Sequence, residues 1–290
     1  MTKTWFITGA ARGIGADIAS AALAAGERVV VTGRDLKAVR DAFGPDRERM
    51  LGLAMDVTRP DQIGRAVAAA VDRFGGIDVL VNNAGYGHLG MFEDTAEADA
   101  RAQFETNVFG LFEVTRAVLP VMRRQRSGHI FNLSSIAGLR GGASAALYCA
   151  SKFAVEGFSE SLAGEVEGFG IRVTIIEPGY FRTDFLDARS IRLAEGGVAD
   201  YAETWQGLRA FFETRSHNQA GDPAKLAEAM IRLAGEAEPP LRFCAGTDAV
   251  AATQGKIDLL QRELDRWRSL SESTDGDFEV AEETGRSAWG

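Results

Sequence analysis

Short apolar runs alternate along the chain with longer stretches whose apolar positions fall one helical turn apart. The runs at 5–8, 28–32, 50–55, 77–81, 130–133, 171–176 and 241–245 predict strands, several of them apolar on both faces. Between them, the stretch after Gly15 to Ala25 and residues 36–43, 60–74, 96–126, 150–167 and 223–235 predict helices. Asp222 followed by Pro223 reads as a cap and a first-turn proline. Strands alternating with helices of this length predict an α/β fold: a doubly wound parallel sheet, helices on both faces, sites at the carboxyl ends of the strands. The helix over 96–126 is expected to be interrupted near Asn107–Gly110, because a mid-helix asparagine competes with the backbone, and Pro120 is a second candidate for a kink. Residues 180–220 have weak periodicity but carry Phe181, Phe185, Leu186, Tyr201, Trp205, Phe211 and Phe212. They predict either a partly helical lid supplying an apolar pocket, or helices burying those rings against the body.

One catalytic domain over 1–250, with the lid inside it, is followed by an appendage over 251–290. There Ile257, Leu260, Leu264 and Trp267 form one apolar stripe, expected to cover the chain's own body or else a partner subunit. From Ser271 onward the polar, acidic composition predicts disorder.

The length of 290 residues, an apolar fraction of 46% and 33 glycines suit such a protein. A formal charge of −9 argues against nucleic acid and against anionic membrane as partners. The two cysteines, Cys149 and Cys244, make neither a disulfide framework nor a metal cluster, and His88, His129 and His217 have no metal-ligand spacing. No metal is expected. The opening residues read as a strand rather than a signal peptide, and no apolar run approaches about 20 residues, so a cytoplasmic protein is expected.

Chemistry concentrates at the predicted strand ends. Gly9, Gly13 and Gly15, with Arg12 and Ile14 between them, form a strand–turn–helix whose backbone N–H groups suit a pyrophosphate. The second strand runs out at Thr32-Gly33-Arg34-Asp35. Arg34 and Arg12 suit the 2′-phosphate of NADP(H); Asp35 would hook the free ribose of NAD(H), or cap the next helix, which is the preferred reading. Asp56 and Val57 end the third strand, where Asp56 could accept from an adenine amino group. Asn83, Ala84 and Gly85 end the fourth and could lie beside the adenosine, and His88 follows within reach of a substrate. Pro178 and Gly179 turn the chain where a nicotinamide would lie. Tyr148 and Lys152 are one helical turn apart, and the cation should favour the phenolate. Ser135, upstream, could hold the oxygen that Tyr148 protonates. Asn107 could bind a water that relays a proton towards Lys152.

These motifs, in this order from residue 4 to about 246, resemble the short-chain dehydrogenase/reductases in their compact, roughly single-domain form. The resemblance rests on Thr8-Gly-x-x-x-Gly-x-Gly15, Asp56, Asn82-Asn-Ala-Gly85, Asn107, Ser135, Tyr148-x-x-x-Lys152, and Pro178-Gly179 with Thr183. It implies a Rossmann-like fold and oxidoreduction of a carbonyl or secondary alcohol. It also implies catalytic roles for Asn107, Ser135, Tyr148 and Lys152, with Thr183 among the cofactor contacts and Lys152 holding the nicotinamide ribose. The Tyr148-Cys-Ala-Ser-Lys152-Phe-Ala run and the aromatic lid look like members acting on apolar carbonyls such as steroids and retinoids. A homodimer or homotetramer, paired through the Tyr148 helix and the long helix before it, is also implied. Ser134 is a neighbouring candidate; the spacing to Tyr148 selects Ser135.

Overall fold

A computed structural model describes residues 2–183, 185, 190–194, 197–276 and 278. Leu186 of the expected lid and most of the expected disordered tail lie outside the described residues. Strands β1 (Thr4–Ile7), β2 (Arg28–Gly33), β3 (Met50–Ala54), β4 (Val79–Asn82), β6 (Gly128–Leu133), β7 (Ile171–Pro178) and β9 (Arg242–Ala245) form one sheet in the order β3-β2-β1-β4-β6-β7-β9, with every pairing parallel. The fold is a Rossmann-type doubly wound α/β sheet.

Side chains alternate across the sheet, so each strand feeds two cores. Trp5 and Ile7 join Val29 and Val31 beneath α1 (Gly13–Ala24) and α8 (Pro223–Leu233). Phe6 and Val30 face α3 (Pro60–Phe74), α5 (Gly110–Gln125) and α6 (Ala146–Val166). Burial on both faces explains why the strands read as continuous apolar runs. The order reverses at β1, whose two neighbours are β2 and β4, and a crevice opens there at the carboxyl edge.

Local chemistry sets the element ends. Asp35 caps α2 (Leu36–Phe43), its Oδ1 accepting from Lys37 N at 2.8 Å, and Asp222 caps α8. The long helix breaks where the asparagine predicts: α4 (Glu97–Phe104) passes into a π-turn over Glu105–Phe109 before α5 resumes. Helix α5 runs on through Pro120. Helix α6 begins before the expected residue 150, which puts Tyr148 in its first turn.

One feature has no counterpart in the sequence reading. Strand β5 (Gly87–Leu89) pairs in parallel with β8 (Ile191–Leu193), stitching the lid to the segment that follows β4. Gly90 abuts Ala194 so closely that a Cβ on it would lie 2.2 Å from the alanine methyl. Beyond β8 the lid continues in α7 (Ala202–Arg215).

The chain divides into compact units of Met1–Thr253 and Gln254–Gly290, helix α9 (Thr247–Glu272) running from one into the other. In the second unit, Ile257, Leu260, Leu264 and Trp267 are each about half exposed. Among the described residues no helix is long and apolar enough to cross a membrane, and no cluster of possible metal ligands occurs.

Candidate active site

A cavity of about 1130 Å³ runs along the carboxyl edge of the sheet. Gly9, Arg12, Gly13, Ile14, Arg34, Asp56, Val57, Asn83, Ala84, Gly85, Ser135, Tyr148, Lys152, Pro178, Gly179 and Thr183 all line it. Gly15 and Asn107 are not in its wall; they stand behind it.

The glycine turn is held by side chains from β1 and β4. Thr8 Oγ1 accepts from the backbone N–H groups of Asn83 and Ala84, at 3.0 and 2.9 Å. Asn83 Nδ2 donates to the carbonyl oxygens of Thr8 and Gly9, at 2.9 and 3.0 Å. Asn83 thus borders the cavity while its amide group staples the turn. A Cβ at Gly15 would lie 2.4 Å from that amide nitrogen, so the position admits only glycine without rearrangement. Gly9 and Gly13 have φ of 62° and 56°, and nothing lies within 4 Å of where a Gly13 Cβ would be. Left-handed glycines opening the N-terminal end of α1 to free space fit a dinucleotide pyrophosphate.

At the far end, Arg34 is exposed and Asp35 is engaged as the α2 cap, as preferred from sequence. Asp56 Oδ1 accepts from Thr58 N and Thr58 Oγ1, at 2.9 and 2.8 Å.

Around Tyr148, both Ser134 and Ser135 border the cavity. The Ser135 and Tyr148 hydroxyls share a hydrogen bond, and Ser135 Oγ also accepts from Ala137 N at 3.1 Å. Ser134 is buried, its Oγ near Glu156 Oε1 beside Gly138. Lys152 Nζ donates to the Leu133 carbonyl oxygen at 2.6 Å and stands 5.9 Å from the centroid of the Tyr148 ring. The expected lowering of the phenol pKa by this cation is not found. Burial pushes Tyr148 up from its ordinary 10, and the Ser135 hydrogen bond only partly opposes it. At neutral pH Tyr148 is therefore a neutral phenol, the form that can give a proton. Burial brings Lys152 down to about 8, opposed by the charge of Glu156.

Asn107, buried in the π-turn, bridges two elements. Its Oδ1 accepts from Tyr86 N at 3.0 Å, while Nδ2 donates to Tyr86 O at 2.9 Å and to Ser151 Oγ at 3.2 Å. This ties the turn after β4 to α6.

The aromatic side chains of the 180–220 segment divide between the body and the cavity. Trp205 buries itself against Leu89 and Ile191, whereas Phe181, Phe185 and Phe212 border the cavity. The Phe185 ring lies 5.8 Å from that of Tyr148, centroid to centroid, and gives that end of the cavity an apolar wall. Tyr201 and Phe211 are largely exposed. His88 lines a second cavity of about 810 Å³, beside Asp99 and Arg209, rather than the one holding Tyr148.

Asp248 escaped the sequence reading. Its Oδ2 accepts from Tyr180 N at 2.8 Å, and a Cβ on Gly179 would lie 2.1 Å from its Oδ1. The Pro178-Gly179 turn is therefore pinned from the start of α9. Nothing local marks Asp248 beyond an acid in a first helical turn.

The parallel sheet, its crevice and the left-handed glycine turn have the form of a dinucleotide-binding protein. Residues 3–193 match the short chain dehydrogenase family model, and the chain belongs to that family of oxidoreductases, which work with NAD(H) or NADP(H). An oxidoreductase of Botryotinia fuckeliana is 41% identical over 278 residues, covering 93% of this chain and 98% of the relative. A 3-ketodihydrosphingosine reductase of Bacteroides thetaiotaomicron is 38% identical over 240 residues, 83% of this chain and 86% of the relative. The crystal structure of a short-chain dehydrogenase from Streptomyces avermitilis superposes with a TM-score of 0.87 at 40% identity, covering 94% of this chain and all of the other.

Proposed function

We propose that the protein transfers a hydride between NADP(H) and the carbonyl or secondary alcohol of a small apolar substrate: a ketone, an aldehyde, or a steroid- or retinoid-like molecule. The observation that carries this reading is the convergence of Ser135, Tyr148 and Lys152 on one end of the cavity, beneath the Phe185 ring. The Bacteroides relative is named for the reduction of a ketone, which accords with it.

The bound nicotinamide supplies the hydride. Ser135 and Tyr148 donate hydrogen bonds to the carbonyl oxygen, and Tyr148, held neutral by burial, gives its proton as charge develops there. Lys152 stabilises the phenolate left behind and holds the nicotinamide ribose. Asn107 keeps a proton path open towards Lys152. In the reverse direction Tyr148 accepts the proton of the alcohol. Gly9, Gly13 and Ile14 cradle the pyrophosphate, with Gly15 and Asn83 fixing the turn. Asp56, Val57, Ala84 and Gly85 border the adenosine end; Pro178, Gly179 and Thr183 border the nicotinamide. Arg34 and Arg12 read the 2′-phosphate, and this preference is favoured by the engagement of Asp35 as a helix cap. A cytoplasmic homodimer or homotetramer is the proposed assembly, supported by the half-exposed Phe109 and Phe153 on the two helices expected to pair.

The test is NADPH oxidation, with NADH in parallel, across ketones, aldehydes, quinones and steroids, with Tyr148→Phe as the blank. Tyr148-dependent turnover, faster with NADPH, is expected. Faster turnover with NADH would make the protein an NAD-dependent alcohol dehydrogenase. Near-wild-type rates in Tyr148→Phe would sink the proton-donor role. Tight NADPH binding without turnover would favour a nucleotide sensor.

A further inference from the structure

The buried stripe of α6 carries polar as well as apolar side chains: Ser151, Lys152, Val155, Glu156, Ser159, Leu162 and Val166. Buried polar groups need partners, and a buried charge needs a counter-charge. Asn132 Nδ2 bonds Ser159, and Asn107 Nδ2 bonds Ser151. Glu156, only 4% exposed, stands one turn beyond Lys152, and that spacing makes the two side chains neighbours on the helix surface. Its carboxylate is gripped by Arg242 of β9. The same guanidinium reaches Glu177 of β7 at 2.9 Å and Glu160 of α6 at 2.5 Å. Cys244 of β9 donates its thiol to Glu177 at 2.9 Å. Ser134 Oγ and Glu156 Oε1 converge on the spot that a Gly138 side chain would fill, closing the site from the β6 side.

Three carboxylates therefore meet one arginine, and one of them, Glu156, stands one helical turn from Lys152. We propose that Glu156 is a positioning residue for the reaction, whose buried carboxylate, locked by Arg242, keeps Lys152 charged and in place beside Tyr148. Burial pushes Glu156 up and Lys152 down; Arg242 opposes the loss of charge on Glu156, and the charge of Glu156 opposes the loss of charge on Lys152.

This inference rests on the reading of Lys152 as the partner of Tyr148, but its test is made on the free protein and needs no turnover. Lysine labelled with ¹³C at Cε gives signals for Lys3, Lys37, Lys152, Lys225 and Lys256, and the Lys152 signal is identified by its loss in Lys152→Arg. In the wild type its midpoint is expected at about 8. Glu156→Gln should move it down by about one pH unit, roughly a tenfold change in the ratio of charged to neutral lysine. Glu160→Gln, which removes the exposed partner of Arg242, should leave it unmoved. Arg242→Gln, which unlocks the carboxylate and removes the charge that keeps it ionised, should also move it downward. An unmoved midpoint in Glu156→Gln, even with a lower melting temperature, would show a purely structural role and overturn the proposal. Should Glu156→Gln not fold, an unmoved or raised midpoint in Arg242→Gln would overturn it equally. Loss of the Tyr148 assignment, by contrast, would show only in the turnover assay.

Discussion

His129 offers a measurement in which the sign and the size both follow from the structure. It lies buried in β6, stacked on Phe131 with ring centroids 4.0 Å apart. Its Nε2 is 2.9 Å from Thr174 Oγ1, which in turn donates to the Pro240 carbonyl oxygen at 2.7 Å. The single hydroxyl proton of Thr174 is thereby committed, so Nε2 carries the proton of a neutral imidazole and donates. Burial, helped by the positive charges of Lys3 and Arg172, takes the pKa from 6.5 to about 3. Below pH 6.5 the unfolded chain binds a proton at this ring that the folded protein refuses, so stability falls as pH falls. The loss runs through the window from about 6.5 down to about 3. At pH 4.5 it amounts to about 3 kcal/mol, two pH units at roughly 1.4 kcal/mol each. His129→Phe replaces the ring by one that cannot titrate. The assay is urea unfolding of both proteins at pH 7 and pH 4.5. The drop in unfolding free energy between the two pH values should be smaller in the variant by about 3 kcal/mol, because contributions from the carboxylates cancel in the difference. Equal drops would refute the claim that the imidazole is buried and neutral.

Two further predictions concern the cofactor end. Gly15→Ala places a Cβ 2.4 Å from Asn83 Nδ2 and 2.8 Å from the Gly9 carbonyl oxygen, and relief of the contact pulls Asn83 off the turn it staples. A loss of about 2 kcal/mol, seen as a melting temperature lower by about 5 °C, is expected together with weaker dinucleotide binding; unchanged melting and affinity would disprove the staple. Arg34→Ala should weaken NADPH at least about tenfold more than NADH in fluorescence titrations, and equal losses would remove Arg34 from 2′-phosphate recognition.

Much of this site was legible before the fold. The glycine turn, Asp56, the Asn-Asn-Ala-Gly turn, Ser135 and Tyr148 each stand at a predicted strand end, and the topology of a parallel sheet brings strand ends to one edge. Asp35 as a cap and Asn107 as a break in the helix were local conflicts between side chain and backbone, and local conflicts are visible in sequence. The protonation of Tyr148 was not. A cation one turn away suggested a lowered pKa, but burial, only partly opposed by the Ser135 hydrogen bond, pushes it up.

The periodicity and strand-end chemistry of the chain by themselves determine the doubly wound sheet, its crevice and the residues that line it, because each of those signals acts over a few neighbouring positions. Only the tertiary structure decides that Thr8 and Asn83 staple the glycine turn, that Asp248 pins Gly179, that β5 pairs with β8, and that Arg242 binds Glu156. Those partners lie tens of residues apart in the chain. No propensity or spacing links them; their hydrogen bonds exist only once the packed core has brought donor and acceptor within about 3 Å of one another.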